Sequence, residues 1–174
     1  MNLKEGLTAK VFHTCNASIT LQQQLKELTN SDENVPAKPL SYNRANRAVA
    51  ILCNHQRAPP KTFEKSMQNL HEMLDAKNEQ LAEAIRELKS AKTEAKVQKD
   101  EKREKLVVGK KKVVQRIEEQ LMKLKVQATD REENKQIAFG TFKLNYLDPR
   151  ISAAWCKKWG VPIAKIYKQL KGRM

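Results

Sequence analysis

A chain of 174 residues with 40% hydrophobic, 31% charged and only 5% aromatic side chains and a mean hydropathy of -0.71 does not suit a sandwich or barrel core; it suits long solvated helices. Its 34 basic and 20 acidic side chains leave +14 at pH 7, a balance that favours a polyanionic partner through counterion release. Cys15, Cys53 and Cys156 are far apart and lack a Cys-x-x-Cys spacing, which argues against a disulfide framework or zinc site and for a reducing compartment. No stretch approaches the ~18 to 20 apolar residues of a membrane span, and Met1 to Gly6 holds no hydrophobic signal core, so an intracellular, soluble protein without a membrane partner is expected.

Leu21, Leu25 and Leu28, four and three apart, predict a helix at the C-terminal end of residues 7–29, opening after Asn16-Ala17-Ser18. Thr29 to Pro36 breaks it with a loop. A second helix is expected from Arg44, with Ser41 as its N-cap and Ala45, Ala48, Val49 and Leu52 on one stripe. It stops before Ala58-Pro59-Pro60, which leaves His55 near its end.

From Thr62 the pattern turns to alternating charge. Leu74, Leu81, Leu88 and Ala95 recur every seven residues with Ala84, Ile85 and Ala91 between them, and Val114, Ile117, Leu121, Leu124 and Ala128 form a second stripe. Lys99 to Lys105 is nearly all charge and Gly109 offers a break, so two antiparallel helices joined near residues 98–110 are expected, poor in aromatics and more mobile than the rest. Thr129-Asp130-Arg131-Glu132 suits a capping box or a continuing helix. Pro149 fits the first turn of a short helix from Asp148 through Lys158, Gly160-Val161-Pro162 closes it, and a last short helix runs from Ile163. The fold class is all-α, with a long antiparallel two-helix coiled-coil hairpin.

The charge is uneven: seven basic and four acidic side chains in residues 1–58, nineteen and fifteen in 59–135, eight and one in 136–174. The last segment is the densest cationic patch, and Tyr146 lies inside it. A tyrosine is far more often a half-buried packing residue than a nucleophile. A phenol has an ordinary pKa of ~10, so its attack on a phosphodiester needs cations to hold the phenolate and the charge developing on phosphate oxygens. Lys143, Arg150, Lys157 and Lys158 supply that positive field in sequence. His55, read alone, is a residue interacting with the last carbonyls of its helix. Cys53 two residues before it permits a thiol and imidazole pairing that lacks a third member, and His71 reads as a solvated helix residue.

Several runs carry a resemblance. Ser41 to Arg57, together with Gly6-Leu7-Thr8-Ala9-Lys10-Val11-Phe12 and Asn16-Ala17-Ser18-Ile19-Thr20-Leu21, is similar to the end of the catalytic core of the eukaryotic type IB DNA topoisomerases. Residues 59–135 resemble that family's coiled-coil linker, and Lys143 to Tyr167 its C-terminal domain. The resemblance implies a helical core fragment in 1–58, a linker hairpin in 59–135 and a small helical C-terminal domain with the active-site tyrosine in 136–174. It implies relaxation of supercoiled double-stranded DNA in the nucleus, through a transient 3′-phosphotyrosine link, with no ATP, cofactor or obligatory metal. Tyr146 takes the nucleophile's place, His55 that of a donor to a nonbridging phosphate oxygen, and Asn145 neighbours the cleavage site.

The departures matter as much. The family's site also uses two arginines and a lysine, of which one arginine and the lysine are expected in core sequence upstream of anything present. The other arginine belongs just after Val11-Phe12, where this chain has His13. An imidazole is mostly neutral at pH 7 and cannot make a bidentate guanidinium clamp. Cys15 stands where the family pattern has a tyrosine, and the ending Lys168 to Met174 differs from the family's longer acidic and aromatic tail. Two functions follow: the family activity, completed by an upstream topoisomerase core fragment, or a catalytically silent DNA-binding or protein-interaction module. A third reading is a truncated or duplicated gene product without a selected role.

Overall fold

The computed structural model describes residues 6–97, 101–137 and 146–167. It is all-α: α1 (Ala9–Leu28), α2 (Lys38–Leu52), α3 (Phe63–Val97), α4 (Glu101–Glu133), α5 (Pro149–Trp159) and α6 (Ile163–Ile166). The chain divides into two compact units, one from Met1–Pro60 with Glu132–Met174 and one from Lys61–Arg131.

The first unit is built on an apolar face that α1 repeats every four residues, Ala17, Leu21 and Leu25, all buried. Against it stand Tyr42, Ala45, Val49 and Ala50 of α2, Ile137, Leu147, Trp155 and Cys156 of α5, Val161 and Ile166. Helix α1 starts at Ala9, well before the expected opening after Ser18. The earlier turns were hidden from a hydrophobic-stripe reading because Val11 and Phe12 remain 45% and 57% exposed.

Helix α2 likewise begins earlier than expected, with a proline in its first turn. Ser41 is therefore not its N-cap. It is a buried interior residue whose hydroxyl donates to Glu33 Oε2 at 2.7 Å, tying the preceding loop down. Lys38 is buried as well, its ammonium 4.5 Å from the Trp159 ring centroid, a cation held on an aromatic face.

Polar contacts inside this core are concentrated on α5. Ser152 Oγ lies 2.6 Å from the Tyr42 hydroxyl and accepts from Tyr167 at 3.2 Å, while Trp155 Nε1 donates to Thr29 Oγ1 at 2.9 Å. Burial pushes the ionisation of Tyr42 far above the ordinary phenol range. Asp148 caps α5 through its carboxylate, which accepts from the Arg150 N–H at 2.9 Å, and Gly160 ends the helix at φ 65°, where a residue without Cβ is at ease.

The second unit is an antiparallel hairpin of α3 and α4 up to Arg131. Arg131 Nη1 donates to Ser66 Oγ, Lys110 pairs with Glu87, and Arg103 Nη1 reaches the Glu94 carbonyl, at 2.7, 2.5 and 3.4 Å. As the partner on α3 advances from 66 to 87 to 94, its mate on α4 retreats by equal steps. The seam alternates threes and fours: Met67, Leu70, Leu74, Lys77, Leu81, Ala84, Leu88, Ala91 and Ala95 are buried or half-buried on α3, the spacing of two packed helices. The expected joint near 98–110 is narrower than that, since α4 already begins at Glu101 and Gly109 sits inside it. Lys, Glu and Arg are good helix formers, and one interior glycine costs only about 1 kcal/mol against alanine. Thr129 to Glu132 continues the helix instead of capping a new one.

Candidate functional site

Three chain segments converge on Tyr146. Its neighbour Leu147 is buried in the core, and the Asp148 N–H donates to Ser18 Oγ on α1 at 3.2 Å. Asp148 then caps α5. The phenol therefore sits on a backbone fixed on its C-terminal side by apolar burial, a cross-helix hydrogen bond and a helix start. Tyr146 itself is half-buried and packs against the edge of the core.

His55 is set by the way α2 ends. Asn54 adopts φ 54°, the left-handed conformation that asparagine tolerates better than other residues with a Cβ. The His55 N–H then donates back to the Ala50 carbonyl at 2.8 Å, and the Asn54 N–H to Ile51 at 3.0 Å, the paired pattern of a Schellman ending. Beyond it, Gln56 bridges Ile137 and the Arg57 N–H donates to the Gln136 carbonyl at 2.8 Å. The same region is drawn in by Glu133, whose carboxylate takes Arg44 Nε and Nη2 at 2.8 and 2.6 Å and whose carbonyl takes Arg47 Nη1 at 3.0 Å. The hydrogen bonds from Arg44 hold the Glu133 carboxyl below the usual carboxylate range.

His13 completes the cluster from the first half of α1. Its ring centroid lies 4.8 Å from that of Tyr146 at an interplanar angle of 63°, and 6.4 Å from that of His55 at 75°. His55 and Tyr146 are 5.1 Å apart at 45°. The His13 Nε2 atom is buried without a hydrogen-bond partner among the described residues, an arrangement that costs about 1 to 3 kcal/mol when nothing fills it. Two imidazoles flanking one phenol can donate to, or accept from, an oxygen placed beside them.

The other sequence candidates fall elsewhere. Lys143 and Asn145 lie outside the described residues. Arg150 closes on Asp148, with Nε 3.0 Å from both carboxylate oxygens and Nη2 2.6 Å from one of them, while the guanidinium side chain remains exposed. That pairing keeps the Asp148 carboxyl below its ordinary range. Lys157 is exposed on α5. Lys158 stands 5.0 Å from the Trp159 ring centroid and lines a groove with Gln22 and Lys26, which lie some 14 to 20 Å along α1 from His13 at the rise of an α-helix. The Cys53 thiol is pushed up by burial, which keeps it protonated and weakens any pairing with His55 as a nucleophile. His71 Nδ1 donates to the Met67 carbonyl of its own helix at 2.8 Å.

Sequence reasoning missed three positioning groups: Asn54, Ser18 and Glu133. Asn54 alone carried a local signal, an asparagine following the last apolar residues of a helix. Ser18 and Glu133 act across the fold and leave no mark in local spacing.

A model of the eukaryotic DNA topoisomerase I catalytic core matches residues 1–88, and a model of the C-terminal topoisomerase domain matches residues 118–172. The chain is 80% identical over 168 residues to DNA topoisomerase 1 of Xenopus laevis, covering 97% of this chain and 20% of that protein. It is 79% identical to DNA topoisomerase 1 of Homo sapiens over 97% of this chain and 22% of the relative. Against DNA topoisomerase I, mitochondrial, of Homo sapiens the identity is 61%, over 96% of this chain and 28% of the relative. The chain thus spans about a fifth to just over a quarter of the length of these relatives.

Proposed function

Because the chain belongs to the eukaryotic DNA topoisomerase I family, we propose that it carries the nucleophile-bearing end of a DNA strand-cleaving centre that an upstream core fragment completes. Tyr146 Oη attacks a backbone phosphorus, the bond to the 5′ oxygen breaks, and a 3′-phosphotyrosine forms while the 5′ hydroxyl takes up a proton. The duplex rotates, and the same hydroxyl attacks back to expel the phenol. The number and kind of bonds are unchanged over the cycle, so resealing draws on no ATP. His55 donates to a nonbridging phosphate oxygen as charge builds there. Asn145, Lys143, Lys157, Lys158 and the partly neutralised Arg150 are the proposed backbone contacts to double-stranded DNA.

The observation that carries this reading is the approach of His55 to Tyr146, ring centroids 5.1 Å apart, from segments distant in sequence. A second feature supports the need for a partner. On α1, Val11, Cys15 and Ile19 recur every four residues on an exposed line, with Leu7 one step before it. That line is an apolar stripe of the kind an upstream core would cover. Nuclear residence is proposed on the higher identity to the two DNA topoisomerase 1 relatives than to the mitochondrial one.

A catalytically silent DNA-binding or protein-interaction module is the second reading, favoured by His13 at the position where the family resemblance calls for an arginine. Incubation with supercoiled plasmid, with and without an added upstream core fragment of a relative, separates the two. Relaxation that requires the core and vanishes in Tyr146→Phe is expected for the complemented enzyme. Salt-sensitive DNA binding without relaxation or a covalent 3′ adduct, even with excess core, would leave the silent module.

A further inference from the structure

One face of α5, carrying Ile151, Ala154, Trp155 and Trp159, forms with Leu25 of α1 the apolar floor of a groove of about 510 Å³, an ordinary size for a ligand site. Its rim is cationic. Lys26 and Lys158 are exposed, and the Arg150 side chain is 88% exposed although Asp148 pairs with it. Among the described residues, Asp148 is the one acid of the groove's four charged lining residues. We infer that this groove is a docking site for a short acidic segment of a partner protein, with a leucine-like side chain set between carboxylates. The inference does not depend on DNA cleavage.

Charge complementarity defines the polar half of that partner. Two ammonium groups stand at the Trp159 ring, Lys38 at 4.5 Å and Lys158 at 5.0 Å from its centroid, and Lys38 is buried. Among the described residues no carboxylate forms an ion pair with Lys26, Lys38 or Lys158. Cations held beside an indole in partly dry surroundings attract a carboxylate more strongly than the same cations in open water.

The floor defines the other half. Ile151 and Trp159 are half-buried and Ala154 is exposed, so apolar surface remains for an aliphatic side chain to cover. A sugar-phosphate backbone meets the rim but has no such group for the floor, which separates this use of Arg150 and Lys158 from a contact with DNA. Ile151 and Lys158 lie two helical turns apart, about 10 Å, the reach of roughly three extended residues. One anchor with an acid on either side therefore spans the groove. The walls are fixed before binding, since Leu25 and Trp155 are buried and Trp155 Nε1 donates to Thr29, so little ordering opposes docking.

The chain's two tryptophans both line the groove, so the intrinsic fluorescence of the full chain reports its occupancy. The probe is a peptide blocked at both ends, Gly-Asp-Glu-Leu-Glu-Asp-Gly. Saturable binding of one peptide per chain is expected, weakened roughly tenfold or more when serine replaces the leucine. Lys26→Glu combined with Lys158→Glu should weaken it by about tenfold or more. Ala154→Gln, which crowds the floor without adding charge, should weaken the peptide roughly tenfold and leave retention of duplex DNA unchanged. Far-UV circular dichroism establishes that each variant is folded. Equal binding of the leucine and serine peptides would overturn the site by reducing it to attraction between charges, as would an equal loss of peptide and DNA in Ala154→Gln. Peptide binding that disappears on saturation with an upstream core fragment would assign the groove to the core and overturn the inference as well.

Discussion

The imidazole of His13 meets the phenol of Tyr146 edge-on with centroids 4.8 Å apart, a shorter separation than the 5.1 Å between His55 and the same ring. Whatever stands at position 13 therefore faces the hydroxyl-bearing ring directly. A guanidinium there would bring a permanent charge and paired donors to a phosphate seated on the phenol. In the presence of an upstream core fragment, His13→Arg should raise the relaxation rate by roughly a hundredfold, the scale of one transition-state donor. An unchanged rate in a folded, core-bound variant would remove position 13 from the phosphate.

The left-handed Asn54 holds the turn that presents His55. Asn54→Ala should lower stability by about 1 kcal/mol, the cost of forcing a β-carbon into that conformation without a compensating polar side chain. Asn54→Gly should be tolerated. Denaturant midpoints at constant slope measure the difference.

Glu133 ties the end of α4 to α2, and its carboxyl is held below the ordinary range by Arg44. A depressed folded value means that the stabilisation is present above the unfolded carboxylate pKa of ~4.3 and disappears as pH falls through the folded value. Glu133→Gln should lose about 1 kcal/mol at pH 7 and flatten the acid limb of the stability curve below pH ~4. Thermal melts across pH 3 to 7 provide the test.

In the hairpin, a β-carbon added at Gly109 would meet nothing within 4 Å, and the residue lies inside α4. Gly109→Ala should stabilise that helix by about 1 kcal/mol. Hydrogen exchange of amides along residues 101–131 reads the gain, and a loss of protection would contradict the helical placement of this glycine.

On α1, Val11→Asp and Ile19→Asp place charges on the exposed apolar line without touching Ala17, Leu21 or Leu25, the buried face. Binding of the upstream core fragment should weaken by at least tenfold, each charge opposing burial of the stripe. DNA retention by the chain alone should remain the same. Equal core binding in both variants would show that another surface docks the core.

What the sequence reveals about this protein follows the range of the forces involved. Local rules place α5 well, because Asp148, Pro149 and Gly160 each act within a turn of their own position, and the seven-residue repeat from Leu74 to Ala95 displays the hairpin directly. Boundaries set by distant partners are illegible. Ser41 has the composition of a cap but is a core residue because Glu33 folds back on it, and the first turns of α1 carry apolar groups that this chain leaves uncovered. At the site, Tyr146 and His55 stand out by residue type and family resemblance. Their meeting depends on Asn54, Ser18 and Glu133, whose effects cross from one segment to another. Arg150 shows the opposite case: a cation in the sequence, it is paired with Asp148 only two residues away.

The equal stepping of α3 against α4 makes the hairpin behave as a ladder whose rungs are counted from one end. Seven residues removed from each rail at matching height would yield a shorter ladder with every remaining rung intact. Two removed from a single rail would turn its apolar side outward from that point on, exposing leucines and swinging lysines inward. Natural variation in the length of this arm is therefore expected to come in matched heptads.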